Sequence, residues 1–265
     1  MTNATTDTFV DIPAGRIFIR QWHVARAQGS PLVLLHDSLG SVEMWRDFPA
    51  LLAEALHRHV IAYDRLGFGQ STQRTDRPSI EFIDAEAERY FPAVRSALGL
   101  ERFALFGHSV GGSMALRIAA SLGEACDAVI TESAQAFVEP RTLEGIRAAQ
   151  TAFEDPVQLQ KLAKWHGDRA QWVLDAWIKV WLSPEFANWS LDPHLGRIRC
   201  PVLAIHGDHD EYGSEAFPRR IAGGVSGPSQ MILLEGCGHV PHRERREEVL
   251  QLTTSFLKEA AATTA

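Results

Sequence analysis

The chain has 265 residues, of which 45% are hydrophobic and 22% charged, and its formal net charge is −7 with acidic and basic residues interspersed. That length suits one large domain, or a core domain with a smaller insertion, and the composition is ordinary for a globular enzyme. Nucleic acid and anionic membrane are excluded as main partners, because both require a concentrated basic surface. We expect a small-molecule substrate instead.

The cysteines and the N-terminal segment bear on the cellular compartment. Cys126, Cys200 and Cys237 form an odd, irregularly spaced set, which does not make a disulfide framework. The first residues lack the basic and apolar stretches of a secretory signal. No apolar run approaches the roughly 20 residues that a bilayer-spanning helix needs. We therefore expect a cytoplasmic protein that is a monomer or a homodimer.

Short apolar segments predict the strands of a sheet. Residues 16–23 alternate in polarity just after a Pro-Ala-Gly turn, which predicts the second strand of a hairpin. Continuous apolar runs follow, as expected for strands that are buried on both faces of a parallel sheet. These runs are residues 32–35, 60–63, 103–106, 128–131, 202–205 and 231–234.

Helical patterns separate these runs, at residues 43–57, 81–98, 112–122 and 243–260. Strands that alternate with helices bury both faces of a sheet under helices. The sequence therefore predicts an α/β fold with a doubly wound, mostly parallel sheet.

One interval departs from this alternation, because about seventy residues after the strand near 131 show no strand pattern, and a structureless loop of that length is improbable. Helical stretches at 141–153, 156–165, 168–182 and 184–189 occupy it. We predict a helical cap at 136–195, inserted into a core formed by 1–135 and 196–265. Tryptophans are concentrated there, and Trp165, Trp177 and Trp181 are the candidates for lining an apolar substrate pocket, although packing among the helices also accounts for them.

Residues 103–117 predict a strand, a tight turn and a helix in immediate succession. The turn carries the motif Gly-His-Ser-Val-Gly at 107–111, whose two glycines stand where side chains would collide with neighbouring backbone. Such a turn pushes the serine hydroxyl off the sheet, and the following helix directs its N-terminal N–H groups at developing negative charge. Ser109 is therefore the predicted nucleophile.

In this context the chain resembles the α/β-hydrolase superfamily over nearly its whole length. Further segments match the family in the family's order, namely HDSLGS at 36–41, DRLGFGQS at 64–71, PVLAIHGDHD at 201–210 and GCGHVPH at 236–242. The resemblance implies an α/β-hydrolase fold with an inserted cap and a Ser-His-Asp triad. It implies no cofactor.

A serine hydroxyl is a poor nucleophile at neutral pH, so an imidazole must take its proton and later return it to the leaving group. His239 is the candidate base, because Gly236 and Gly238 give its loop the freedom to swing over the serine. His242 is the nearest competitor. Its position just before a helix favours a surface or capping role.

The acid has several candidates, because Asp208, Asp210 and Glu211 all follow the strand that ends near 206. The family's G-[DE]-x-D pattern implies Asp210, which would hold the imidazole in the correct tautomer and stabilise the imidazolium. Asp208 remains an alternative, as does Glu132 just beyond the preceding strand. A metal site at 206–210 is not expected, because the segment lacks a fixed helical ligand spacing.

An oxyanion hole needs two backbone N–H donors. The resemblance implies that Val110 supplies one and Ser38 the other. The chain departs from the family here, since Asp37 stands where glycine is usual. Aspartate tolerates unusual backbone angles, but a carboxylate opposes a developing oxyanion unless it points away, so Asp37 is either structural or tunes the chemistry. His36 is expected to be a structural hydrogen-bonding residue.

These residues predict hydrolysis of a carboxylic ester or lactone through an acyl-Ser109 intermediate, on a small to medium, partly apolar substrate. The loop at 38–45 resembles that of 3-oxoadipate enol-lactonases and of the cyclohexadiene-carboxylate synthases of menaquinone biosynthesis. A second hypothesis uses the same triad for C–C bond hydrolysis, lyase chemistry or perhydrolysis. A third is a ligand-sensing signalling protein on a hydrolase scaffold, since the elbow motif occurs in such proteins as well.

Overall fold

The computed structural model describes residues 4–76 and 79–264. Within them lies an eight-stranded sheet whose spatial order is β1-β2-β4-β3-β5-β6-β7-β8. The strands are β1 (Ala4–Ile12), β2 (Gly15–His23), β3 (Leu32–Leu35), β4 (Val60–Tyr63), β5 (Phe103–His108), β6 (Cys126–Glu132), β7 (Val202–Gly207) and β8 (Ser229–Leu234).

The sheet is antiparallel at one edge and parallel elsewhere. The hairpin β1–β2 and the pair β2–β4 are antiparallel, and every other neighbouring pair is parallel. Strands β3, β4, β5 and β7 contain only buried residues, which explains why the runs 32–35, 60–63, 103–106 and 202–205 within them are continuously apolar rather than alternating. The predicted α/β class and doubly wound sheet are confirmed.

Helices cover the sheet on both faces. They are α1 (Phe48–Leu56), α2 (Phe82–Ala85), α3 (Phe91–Ala97), α4 (Val110–Leu122), α5 (Pro140–Ala152), α6 (Pro156–His166), α7 (Ala170–Trp181), α8 (Asp192–Leu195), α9 (Ala216–Gly224), α10 (Pro241–Glu244) and α11 (Arg246–Thr264). A π-helical turn (Glu86–Tyr90) links α2 to α3, and 3-10 turns occur at Val42–Trp45, Gly123–Ala125, Gly167–Arg169 and Pro184–Phe186. Among the described residues, no helix is both long and apolar enough to cross a membrane.

Alternate residues of one strand enter two separate cores. Leu32 and Leu34 of β3 pack with α1 and α11, whereas Val33 and Leu35 pack with α4 and with helices α5–α8. Successive side chains of a strand point to opposite faces, so both layers of helices are held by the same short apolar run. The sheet thus fixes the positions of the loops that follow its strands.

Several helices differ from the sequence prediction. The predicted helix 243–260 is divided at Arg245 into α10 and α11, and the short α8 was not predicted. The predicted helix 43–57 is divided, because Arg46 has a positive φ of 55° and the α-helix begins only at Phe48. Helix α9 was not predicted; it is short, and Phe217 and Ile221 are its only large apolar side chains. None of these differences moves a strand, so the order of the loops along the sheet edge is unaffected.

Helices α5–α8 all lie in the interval predicted as a cap, between β6 and β7. A single β-bridge between Phe137 and Ser190 joins the two ends of this interval. His166 at the end of α6 accepts a hydrogen bond from the Gly69 N–H at 3.0 Å and bonds to the Leu39 carbonyl at 2.8 Å. This imidazole therefore ties α6 to two loops of the core. The boundaries of the cap stay a prediction.

Candidate active site

Ser109 stands at a sharp turn between β5 and α4. Its φ of 56° and ψ of −128° lie where few non-glycine residues are found. A Cβ on Gly107 would lie 2.3 Å from the Gly111 carbonyl oxygen, and one on Gly111 would lie 2.2 Å from the Leu35 carbonyl oxygen. The two glycines are therefore required by close backbone approach, and together they allow the strained turn that presents the serine.

Three side chains from different loops meet at this turn. The Ser109 Oγ lies 3.0 Å from Nε2 of His239, and Nδ1 of His239 lies 2.8 Å from both carboxylate oxygens of Asp210. Asp210 is fully buried and also accepts a hydrogen bond from the Tyr212 N–H at 2.8 Å. The arrangement is a continuous hydrogen-bonded relay from carboxylate through imidazole to hydroxyl, which is the geometry of an activated nucleophile.

The electrostatics of the pair fit this arrangement. Burial opposes the charged form of His239, but the charge and hydrogen bond of Asp210 outweigh it, so the pKa of His239 is raised. Burial likewise opposes ionisation of Asp210, yet the charge and hydrogen bond of His239 leave the pKa of Asp210 lowered. Each partner favours the charged form of the other, so the site stabilises an imidazolium at Ser109.

Asp208 occupies a different position. Its carboxylate accepts a hydrogen bond from the Gly236 N–H at 2.7 Å, at the start of the loop that carries His239. Glu244 accepts from the N–H groups of Gly238 and Val240 at 2.7 and 3.0 Å. These carboxylates hold the loop backbone and leave the imidazole to Asp210. The structure thus brings Asp210, and not Asp208, to His239.

His242 and Glu132 form a second histidine–carboxylate pair. The expectation of a surface or capping role for His242 is wrong, because this residue is 3% exposed. Its backbone N–H donates to Glu132 at 3.0 Å, and its Nδ1 makes a short contact with the same carboxylate. Burial raises the pKa of Glu132 to about 7 and lowers the pKa of His242 to about 3. Glu132 is therefore engaged away from His239.

His108 connects this pair to the relay. Its Nε2–H donates to the His239 carbonyl at 2.8 Å, which holds the backbone of the candidate base. Donor atoms of His108, Glu132 and His242 lie within 4.8 Å of one another, close enough for a metal ion to bridge. Glu132 and His242 bond to each other, and His108 bonds to the His239 backbone. These hydrogen bonds explain the group as a structural support of the His239 loop.

The loop after β3 is held by hydrogen bonds to its Asp37 carbonyl and its His36 ring. The Asp37 carbonyl accepts hydrogen bonds from His36 Nδ1 at 2.9 Å and from Arg65 Nη2 at 2.8 Å, while His36 Nε2 accepts from the Arg65 N–H at 3.1 Å. In a trans peptide the carbonyl and the next N–H point in opposite directions. The Ser38 N–H therefore points away from these partners. His36 is the structural hydrogen-bonding residue that the sequence indicates.

Val110 is the first residue of α4, so its N–H has no acceptor within the helix. The Asp37 carboxylate lines the same cavity as Ser109 and lies 3.9 Å from His108 Nδ1, a ring whose pKa burial lowers to about 4. A carboxylate at this position opposes an oxyanion and favours an imidazolium, since it is among the charges that raise the pKa of His239. Asp37 thus has an electrostatic connection to the relay.

A cavity of about 220 Å³ opens above the serine. It is lined by Asp37, Ser38, Leu39, Ser109, Gln135, Thr142, Ile146, Trp177, Trp181, Glu211, Tyr212, His239 and Val240. Two of the candidate pocket tryptophans, Trp177 and Trp181, are in this lining. Trp165 is not; it is 37% exposed. A smaller cavity of about 40 Å³ continues past Ser38, Trp177 and Trp181 toward Arg65 and Trp172.

Sequence reasoning missed two residues that contact the relay. Gln135 Nε2 lies 3.2 Å from the Ser109 Oγ, and the Tyr212 ring packs edge-on against the His239 ring, with centroids 4.7 Å apart. Gln135 follows the end of β6, where Glu132 was the only candidate residue. A single glutamine belongs to no sequence motif that would identify it. Tyr212 was adjacent to the candidate acids, but its ring position depends on the fold.

Comparisons with known proteins agree with the architecture. The family described as "alpha/beta hydrolase fold" matches residues 30–245. A proline iminopeptidase of Lactobacillus crispatus is 24% identical, over 88% of this chain and 91% of that protein. A 2-hydroxy-6-oxo-6-phenylhexa-2,4-dienoate hydrolase of Comamonas testosteroni is 22% identical, over 98% of this chain and 99% of that protein.

A solved structure gives the same result for the fold. The enol-lactonase from Burkholderia xenovorans LB400 superposes with a TM-score of 0.75 at 19% identity, covering 95% of this chain and all of that chain (100%). The resemblance inferred from the sequence motifs is therefore confirmed, and these relatives support a hydrolase activity. Because the family match covers most of the chain, the protein belongs to the α/β hydrolase fold family.

Proposed function

We propose that the protein is a serine hydrolase that cleaves a carboxylic ester or lactone of a small, partly apolar substrate through an acyl-Ser109 intermediate. The observation that carries the proposal is the unbroken relay of Ser109, His239 and Asp210 at the floor of a cavity. Each residue has one role: Ser109 is the nucleophile, His239 the general base and Asp210 the acid that orients the imidazole.

In acylation, the Ser109 Oγ attacks the carbonyl carbon while its proton passes to Nε2 of His239. The negative charge that develops on the carbonyl oxygen is stabilised by the backbone N–H groups of Ser38 and Val110, at about 3–4 kcal/mol for each donor by analogy with other hydrolases. Asp210 stabilises the imidazolium that forms. The tetrahedral intermediate then breaks its bond to the leaving oxygen, which takes the proton from His239.

In deacylation, His239 removes a proton from a water molecule, and the hydroxide attacks the acyl-enzyme carbonyl. The same N–H groups stabilise the second oxyanion, and collapse returns the proton to Ser109 with release of the acid. This sequence requires only groups already present at the turn and a water molecule.

The cavity supports a small substrate. About 220 Å³ is less than the roughly 300–1,000 Å³ typical of sites for drug-sized ligands. Trp177, Trp181 and Ile146 provide apolar lining, which suits a substrate with an apolar or aromatic part. The likeness to an enol-lactonase structure is in keeping with lactone or ester cleavage. The similarity to the hydrolase of Comamonas testosteroni is the reason for including C–C substrates in the experiment below.

We expect a fluorophosphonate probe to label Ser109, as read by mass spectrometry of the peptide. The Ser109→Ala variant should lose labelling and at least about 10⁴-fold in kcat/KM, because residues of a relay act as a unit. Retained turnover in purified Ser109→Ala protein, or labelling of another residue, would overturn the proposed nucleophile.

Ser121→Ala is the matched control. Ser121 lies on the same helix, near the end opposite to the Ser109 turn, and bonds to Arg117. It should keep labelling and turnover. A panel of p-nitrophenyl esters, lactones and vinylogous C–C substrates then separates the reaction classes. Turnover of the C–C substrates alone, with Ser109 labelled, would contradict the ester and lactone assignment while leaving the nucleophile intact.

A further inference from the structure

Gln135 has an acceptor atom that the protein leaves unused. The residue is 4% exposed and lines the cavity above Ser109. Its backbone carbonyl accepts a hydrogen bond from the Ser113 hydroxyl at 2.7 Å, which fixes the residue against the start of α4. Its side-chain Oε1 is buried, and no hydrogen-bond partner for it exists among the described residues.

The chemistry of the serine fixes which way this amide faces. The Ser109 hydroxyl must donate its proton to Nε2 of His239 for the relay to work, so the Ser109 Oγ can only accept from a third group. Gln135 Nε2, at 3.2 Å, is that donor. Since the two heteroatoms of an amide share one carbon, Oε1 must then face away from the hydroxyl while staying beside it.

A buried acceptor without a donor costs free energy, and native proteins rarely tolerate one outside functional sites. The hydroxyl of Thr142 in this lining is committed elsewhere, since it donates to the Tyr212 carbonyl at 2.7 Å, and the lining has no lysine or arginine. Because no described residue donates to Oε1, the donor is to be sought on the substrate.

A second unpaired atom has the opposite polarity. Trp181 is 2% exposed and lines the same cavity, and its indole N–H is buried without a partner among the described residues. An indole nitrogen can only donate. Two residues of the lining thus carry an unpaired acceptor, at Gln135, and an unpaired donor, at Trp181. A secondary amide offers the complementary N–H and C=O in one group.

We propose that the cavity selects acyl groups that carry a secondary amide on the α carbon, with the amide N–H donating to Gln135 Oε1 and the amide C=O accepting from the Trp181 indole. The α position is inferred from the contact of the Gln135 amide with the Ser109 Oγ, since an amide next to the nucleophile is also next to the atoms attached to the reacting carbonyl. Gln135 is a specificity residue for the substrate, and the inference rests on the proposed role of Ser109.

Boronic acids test this without a substrate, because boron bonds reversibly to a serine nucleophile and mimics the tetrahedral intermediate. Acetamidomethylboronic acid carries the proposed amide, and in 3-oxobutylboronic acid a CH2 group replaces its N–H while the carbonyl remains. We expect the wild-type chain to bind the amide at least about fivefold more tightly than the ketone, as expected for one buried hydrogen bond. Titration by intrinsic tryptophan fluorescence or calorimetry gives both dissociation constants.

Matched variants assign the preference to Gln135. Gln135→Met removes Oε1 at similar size and should abolish the preference, whereas Gln135→Glu keeps an acceptor and should retain it. Ile146→Leu changes an apolar residue of the same lining and should also retain it. Trp181→Phe should weaken both boronates alike, because both keep the carbonyl.

Equal affinities in the wild-type chain, or an unchanged preference in Gln135→Met, would overturn the inference. So would a failure of both boronates to bind a chain whose Ser109 still reacts with the fluorophosphonate. Loss of that labelling from Ser109 would instead refute the proposed function, so the two failures are distinguishable.

Discussion

Two buried histidine–carboxylate pairs lie side by side in this protein, and they have different surroundings. His239 bonds to Asp210 and faces Ser109 and the cavity. His242, three residues later, bonds to Glu132 and packs on the rings of Trp45 and Phe48, with centroids 4.8 and 5.3 Å away. The same two functional groups are thus placed once beside a cavity and once within a core.

The environment of each ring determines the direction of its pKa. The charge of Asp210 raises the pKa of His239 despite burial, whereas burial prevails at His242 and lowers its pKa to about 3. An imidazole with a pKa that low stays uncharged at neutral pH and does not take a proton from a hydroxyl. A histidine beside a carboxylate can therefore act as a base only where its ring is open to a reacting group and to solvent.

Replacing each histidine by alanine should have very different consequences for catalytic activity. His239→Ala should lower kcat/KM by about 10⁴-fold or more, because it removes the proton acceptor of a relay that acts as a unit. His242→Ala should lower it by no more than about tenfold. Steady-state kinetics on the best ester of the panel measure both, and a loss at His242 as large as that at His239 would break the distinction.

The order reverses for stability. His242→Ala should lower the free energy of unfolding by about 3 kcal/mol, because it opens a cavity beside Trp45 and leaves the buried Glu132 without its ring partner. His239→Ala should lower it by about 1 kcal/mol, since Asp210 keeps the Tyr212 N–H and lies 3.5 Å from His206 Nε2. Urea unfolding provides the measurement, and a greater loss for His239→Ala than for His242→Ala is the contrary result.

The fold was predictable because its signals are local. Runs such as 32–35 and 202–205 are apolar without alternation, and a strand buried on both faces requires that pattern. Helix 43–57 was less predictable, because its break depends on a positive φ at Arg46, which is not a glycine. Pro49 in the first turn of α1 is the one local signal that a helix starts there. A hydrophobic pattern over several residues is therefore easier to predict from sequence than the backbone angle of a single residue.

The candidate site was predictable where a residue type is tied to a backbone motif. The turn around Ser109 needs glycines at fixed positions, so the sequence indicates it. The second pair was not predictable, because Glu132 and His242 are 110 positions apart and meet only after the sheet has formed. Gln135 lacked any motif, and its contact with the serine depends on where β6 ends beside β5.

The smallest expected effect concerns the pH dependence of the relay. His239 must be neutral to accept a proton, so kcat/KM should rise with pH through its pKa, which lies above the usual 6.5. The carboxylates of Glu211 and Asp37 contribute to that raised pKa, after Asp210. Glu211→Gln and Asp37→Asn should therefore each move the acidic limb to lower pH, while the remote, exposed Glu124→Gln leaves it in place.

His242 provides the internal reference for this measurement. Its pKa of about 3 lies below the range in which hydrolysis is assayed, so it contributes no limb of its own to a profile between about pH 5 and 9. The acidic limb set by His239 should therefore persist in the His242→Ala variant, although Glu132, with a pKa raised to about 7, titrates in the same range. An acidic limb that stays fixed in Glu211→Gln and Asp37→Asn, or that moves to higher pH, would show that these carboxylates do not act on His239. If the acidic limb vanished in His242→Ala, the titration would belong to the pair of His242 and Glu132 and not to His239.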